Sequence, residues 1–278
     1  MDKEFPIKGR YIVAIWLVPM FYLPGLNYAY GMMGEDQGWY KIIYLFYYQI
    51  FVAALLLFLV SFYKINWLTT IAIPHSREYP YAIKLTAFIF IFSIAAAYAL
   101  FYPLSFLFPG FVNFWFIETI PIIYSFEGEF PLTPNLLSFL SLVILAPIME
   151  EFTFRGILLH RWTGKWGIHC AILCSSILFG IGHPDPIGAV AFGIAMSVLY
   201  LKTKTLLVPM VCHALNNFVV WLIAVGYITF KGPDYVYTLE IFQSEWPIGL
   251  ACCLISFFWA RAYRQREKIE LEWSLPKL

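Results

Sequence analysis

Stretches of the chain at about 11–30, 42–63, 85–108, 136–159 and 205–227 are each apolar over close to the ~20 residues a helix needs to cross a bilayer. A shorter run covers 247–260. Two more, 167–182 and 186–201, hold 16 residues each. As helices these would be about 24 Å long, short of a ~30 Å hydrocarbon core. They are joined by His183-Pro184-Asp185-Pro186, a turn expected below the outer surface, where surrounding protein or cavity water must satisfy the broken backbone. Lipid leaves no partner for an unpaired peptide group, so spanning segments must be helices or a closed barrel. Runs of this length predict an all-α polytopic bundle of about eight transmembrane helices. The two short helices and their turn are expected to line a polar intramembrane cavity. Composition agrees, with 61% hydrophobic and only 13% charged residues, about half the charge of a typical soluble domain.

Basic residues support this topology. Lys3, Lys8, Arg10, Lys64, Arg77, Lys84, Arg161, Lys165, Lys202, Lys204, Arg261, Arg264, Arg266, Lys268 and Lys277 fall on alternate connections, whereas the opposite connections hold only Lys41 and Lys231. By the positive-inside rule the richer side is cytoplasmic, and both termini are expected there. The 111–124 run carries Glu118 and Pro121 and precedes Glu127 and Glu129. It reads as an interfacial or re-entrant piece, because a ninth crossing would break the alternation.

The first hydrophobic run lacks the short core and small-residue cleavage site of a signal peptide and is expected to be a retained anchor. The tail from Arg261 to Leu278 mixes Arg, Lys and Glu at helical spacing, as a solvated or headgroup-facing helix extension does. No internal repeat is visible. The whole chain, 1–278, reads as a single integral membrane domain. Cys170, Cys174, Cys212, Cys252 and Cys253 all lie in apolar runs and are odd in number, which argues for buried small hydrophobes and against a disulfide framework. A net charge of +1 offers nothing to nucleic acid.

Within this apolar background Glu150, Glu151 and Arg155 stand out inside the 136–159 run. An ionised residue at the centre of a membrane helix costs roughly 2.5–3.5 kcal/mol, so such residues face a bundle interior or a water-filled cavity. Glu151 and Arg155 are four apart and can pair on one helix face, while Glu150 is turned about 100° away. One carboxylate is tied and the other is free. His213 and Asn217 are also four apart on one face of the 205–227 helix, with Asn216 beside them. His183 closes a short helix before a proline. Each of these residues has a bland reading as an ion pair, a turn residue or interhelical glue. Complementary groups on three helices outweigh those readings.

A carboxylate and an imidazole around one water can abstract its proton and deliver the oxygen to a peptide carbonyl. A histidine N–H and an asparagine amide can then hold the developing oxyanion. The same Glu150, His183 and His213 could instead bind a divalent metal such as zinc that activates the water, and residue types alone do not separate the two. The chain contains no H-E-x-x-H and no G-x-S-x-G. Gly180-Ile181-Gly182-His183 ends in histidine where an intramembrane aspartyl protease needs aspartate. Gly180, Gly182, Gly188 and Gly193 form no phosphate-binding pattern and are expected to allow close helix packing.

Three motifs in order resemble the CPBP family, the CAAX prenyl proteases and bacteriocin-processing proteins also called the ABI family. Glu150-Glu151-Phe152-Thr153-Phe154-Arg155 is similar to its E-E-x-x-x-R. Phe179-Gly180-Ile181-Gly182-His183 is similar to its F-x-x-x-H, and His213-Ala214-Leu215-Asn216-Asn217 to its H-x-x-x-N/D. The resemblance covers 136–227, the expected catalytic core. It implies an eight-helix intramembrane endopeptidase with a cavity open toward the cytoplasm and the bilayer. By position, Glu150 would be the general base, His183 would hold and polarise the water, and His213 with Asn217 would stabilise the oxyanion. Glu151 and Arg155 would orient the site or hold the substrate's terminal region. Family members are drawn both with and without a metal.

The implied partners are the bilayer and a membrane-associated peptide or protein. Eukaryotic relatives trim residues after a prenylated cysteine, whereas prokaryotic ones are linked to peptide maturation and bacteriocin immunity, so prenylation of the substrate stays open. Two other classes use similar residues. A proton- or cation-coupled transporter builds midplane sites from carboxylates, histidines and broken helices, but should show an inverted repeat. A non-catalytic membrane scaffold would share every residue with the enzyme.

Overall fold

The computed structural model describes residues 6–22, 37–66, 70–73, 79–118, 122–125, 127–233, 235–266 and 275–276. Every regular element among them is helical. In order these are α1 (Gly9–Tyr22), α2 (Gln37–Phe62), α3 (Tyr79–Leu107) and α4 (Pro109–Val112), which runs into a π turn at Asn113–Ile117. A compound helix α5 covers Leu132–Trp166. Then come α6 (Ile168–Ile181), α7 (Pro186–Thr203), α8 (Leu207–Lys231), α9 (Leu239–Ser244) and α10 (Trp246–Arg266).

Among the described residues five helices are long and apolar enough to cross a membrane: Lys41–Phe62, α3, α5, α7 and α8. The chain is an integral, multi-pass membrane protein. Shorter apolar helices occur at Ile168–Ile181 and Trp246–Ala262. The expected first span, 11–30, coincides with α1 up to Tyr22, and its remainder lies outside the described residues. Of the two short runs only the first stays short. It forms a 14-residue helix, whereas α7 reaches 18 residues. The expected 111–124 piece is not a crossing helix: α4 and its π turn end at Ile117, and residues 119–121 lie outside the described set.

The helices that carry the motifs form the interior. Ala82 and Ile89 of α3, Phe179 of α6, Phe192, Met196 and Leu199 of α7, and Val208 and Cys212 of α8 make one buried cluster. Outward faces remain apolar, with Phe58, Phe62, Leu222, Ile223, Phe257 and Phe258 exposed. That is the inversion expected where the solvent is lipid. Small residues set the close approaches. A Cβ at Gly193 would stand 2.8 Å from Ser176 Cβ and 2.9 Å from its Cα, and one at Gly180 would stand 2.7 Å from the Pro186 carbonyl oxygen. Gly188 is equally confined, by Asp185 and Ser93. Gly182 departs from the expectation. A Cβ there would meet nothing nearer than 3.5 Å, because the residue sits exposed in the turn after α6 rather than between helices.

The long helix α5 is not uniformly wound. Its α-helical centre, Ala146–Glu151, lies between π segments at Leu140–Leu145 and Phe152–Leu158. Such π segments inside α-helices occur frequently at functional sites. Here they bracket the two adjacent glutamates. All five cysteines are free.

Candidate active site

Three separate helical regions bring their polar groups together. Glu150 and Glu151 come from the centre of α5, His183 from the turn between α6 and α7, and His213 from the first half of α8. Glu150 Oε2 lies 3.8 Å from His183 Nε2 and 3.9 Å from His213 Nε2. Both separations exceed a direct hydrogen bond, and Oε2, although buried, accepts none from the described residues.

Glu151 occupies the other side of His213. Its Oε1 stands 2.9 Å from His213 Nδ1 and 2.9 Å from Arg155 Nη1. The anticipated i,i+4 ion pair is therefore present and fully enclosed, with Glu151 0% and Arg155 1% exposed. Arg155 also donates from Nη2 to the Gly193 carbonyl of α7 at 2.9 Å, and its guanidinium lies 4.9 Å from the Phe179 ring centroid. One cation thus ties α5 to α6 and α7. Exposure separates the two carboxylates by role. The Glu150 and His183 side chains are 17% and 33% exposed, against 0% for Glu151 and 4% for His213. The first pair borders the opening, while the second pair lies behind it.

Ring-nitrogen partners settle which atoms face that opening. His183 Nδ1 lies 2.7 Å from the Phe179 carbonyl oxygen, which can only accept, so Nδ1 carries the hydrogen and neutral His183 offers a lone pair at Nε2. His213 Nδ1 likewise donates to the Glu151 carboxylate and turns Nε2 toward Glu150. The rings are wedged by aromatic contacts. His183 stacks on Phe179 at 4.2 Å and 26°, and Phe192 meets His213 edge-on at 4.8 Å.

Asn217 follows His213 on the same face. Its Nδ2 donates to the Leu142 carbonyl in the first π segment at 2.9 Å, and its Oδ1 accepts from Asn216 Nδ2 at 3.3 Å. One of its two amide hydrogens is thereby committed to the protein. Asp185 was legible as a turn residue but not as a support. Its Oδ1 accepts from the Gly188 N–H at 3.1 Å, capping α7, and its Oδ2 accepts from Ser93 Oγ of α3 at 2.5 Å. An aspartate just before Pro186 is a helix-start signature that could have been read, whereas Ser93 lies 92 residues away and leaves no local signal. Asp185→Ala is expected to cost about 1 kcal/mol of stability through the lost cap and to loosen the His183 turn. A thermal melt unchanged from wild type would show that the cap contributes nothing.

Among the described residues no three His, Cys, Asp or Glu side chains are placed to hold a metal ion together. At ~2.0–2.2 Å from zinc, tetrahedral ligand atoms stand no more than about 3.6 Å apart, closer than Glu150 Oε2 comes to either imidazole. A water oxygen about 2.8 Å from each atom spans those distances readily.

Residues 132–219 match the family model for a type II CAAX prenyl endopeptidase, Rce1-like. The matched stretch holds all three motifs. A Bacillus subtilis (strain 168) protein named "Putative membrane peptidase YdiL" is 38% identical over 81 residues, which is 28% of this chain and 33% of that protein. The match thus spans about a third of the relative's length. No solved structure matches.

Proposed function

We propose, taking residues 132–219 as a CPBP-family, Rce1-like segment, that the chain is an intramembrane endopeptidase hydrolysing a peptide bond of a membrane-associated protein or peptide. The observation that carries this reading is the convergence of Glu150 Oε2 with the Nε2 atoms of His183 and His213 at 3.8 and 3.9 Å. A water oxygen in hydrogen-bond reach of Glu150 Oε2 can bridge it to either imidazole.

Glu150 takes a proton from that water as its oxygen bonds to the scissile carbonyl carbon. His183, neutral with its Nδ1 hydrogen on the Phe179 carbonyl, accepts a hydrogen bond at Nε2 from the water's second O–H, which stays on the oxygen, and so aims it. The carbonyl oxygen becomes an oxyanion. Asn217 donates its uncommitted amide hydrogen to it, and His213, held through Nδ1 by the Glu151 carboxylate, presents Nε2 as the second donor. Glu150 then returns its proton to the leaving nitrogen as the C–N bond breaks, which yields a carboxylic acid and an amine and regenerates the site; the acid's proton passes to the amine, leaving a carboxylate and an ammonium. Glu151 and Arg155 hold His213 and α7 in register without touching substrate. The chemistry resides in 136–227, and both termini face the cytoplasm.

The geometry gives the metal-free version the better fit. Exhaustive chelation is expected to leave the turnover of reconstituted protein unchanged. Loss of activity on chelation, restored by zinc, would overturn this part. The function as a whole is tested by comparing peptides from membranes of cells carrying wild-type or Glu150→Gln protein. Substrates should accumulate uncut only in the variant, and identical peptide profiles would refute the reading. Ion flux in proteoliposomes, lost in the same variant, would instead favour a transporter.

A further inference from the structure

In the first π segment of α5 the Ala146 N–H bonds back five residues to the Ser141 carbonyl. The next donor in that register is residue 147, which would pair with the Leu142 carbonyl. Residue 147 is a buried proline and has no N–H to give. A carbonyl left without a donor in a buried, apolar setting is costly. Leu142 is rescued from another helix, by Asn217 Nδ2 at 2.9 Å. Because a carbonyl oxygen only accepts, this contact also fixes which end of the Asn217 amide is nitrogen.

We infer that Pro147 is a positioning residue of the site. By withholding a main-chain donor from Leu142 it recruits the Asn217 side chain, and so clamps the α8 face that bears His213 and Asn217 against the stretch of α5 that bears Glu150. Glu150 follows Pro147 by less than one turn, and His213 precedes Asn217 by about one. The missing hydrogen bond is thus converted into a tie between two catalytic helices. The catalytic consequence rests on the endopeptidase reading, but the exchange of hydrogen-bond donors does not.

Pro147→Ala supplies the missing N–H, which competes with Asn217 for Leu142. In the full-length protein in detergent, with asparagine selectively labelled by ¹⁵N, the Asn217 amide hydrogens are expected to lose protection against exchange. The melting temperature should hold or rise, because proline is a poor residue inside a helix. With a cleavable membrane peptide, kcat should fall about tenfold, in keeping with a disturbed oxyanion donor, while KM stays within about twofold. Pro147→Gly restores the same N–H without alanine's helix preference. It should reproduce the exchange and kcat effects without the stability gain. Unchanged Asn217 protection in both variants would overturn the inference, as would a fall in kcat without a change in protection. Failure of the wild-type protein to cut any membrane peptide would sink the endopeptidase reading alone, since the exchange measurement needs no turnover.

Discussion

Arg155→Ala is expected to destabilise the protein by about 3–5 kcal/mol, the cost of removing one partner from a buried ion pair. Arg155 is 1% exposed and Glu151 0%, so the abandoned carboxylate cannot recover water. Among the described residues it would keep His213 as its hydrogen-bond partner. The Gly193 carbonyl would lose its arginine donor and retain Ser197 Oγ at 2.9 Å. Denaturation in detergent, followed by tryptophan fluorescence, should show the loss directly. Arg155→Lys should recover only part of it, because an ammonium cannot reach Glu151 and Gly193 in the planar geometry of the guanidinium. A melting point within a degree or two of wild type would show that this pair is not what holds α5 to α7.

Glu150→Gln should produce the opposite pattern. The amide has the same shape but cannot accept a proton, and loss of a general base lowers turnover by about 10²–10⁴-fold. Stability should hold or rise. Glu150 Oε2 is buried without a hydrogen-bond partner among the described residues, and exchanging a charge for a neutral group there removes a desolvation cost. His183→Ala should follow Glu150→Gln in activity. His213→Ala should also destabilise, because it strips the Glu151 carboxylate of a partner. Of the two adjacent glutamates, substitution of Glu150 is thus expected to change rate and loss of the Glu151 pair to change stability.

Much of this division is legible in the chain. A four-residue spacing pairs Glu151 with Arg155, and one step of helical rotation sends Glu150 elsewhere. Both consequences are local, so both appear in the structure. The order of three short motifs also brings the right helices together. What spacing could not reveal depends on distant partners or altered winding. The Asn217 amide reads as an oxyanion donor, yet one of its hydrogens belongs to Leu142, 75 residues away. Apolar periodicity passes smoothly through Leu140–Leu145 and Phe152–Leu158, because π winding changes the backbone register without demanding distinctive side chains. Helix length was underestimated for α7, which runs on through Thr203, whereas the expected helical extension beyond 260 is present in α10 through Arg266. The Ser93 support of Asp185 is a contact between distant segments.

The central claim is that Glu150, with two imidazoles, turns one water into the nucleophile. Its most direct test places purified wild-type and Glu150→Gln proteins in liposomes with a membrane-anchored peptide in H₂¹⁸O. Wild type should cut the peptide and leave one ¹⁸O in the new carboxylate, while the variant, folded to the same melting point, should leave the peptide intact. Cleavage by Glu150→Gln at the wild-type rate, with the same label, would contradict the account.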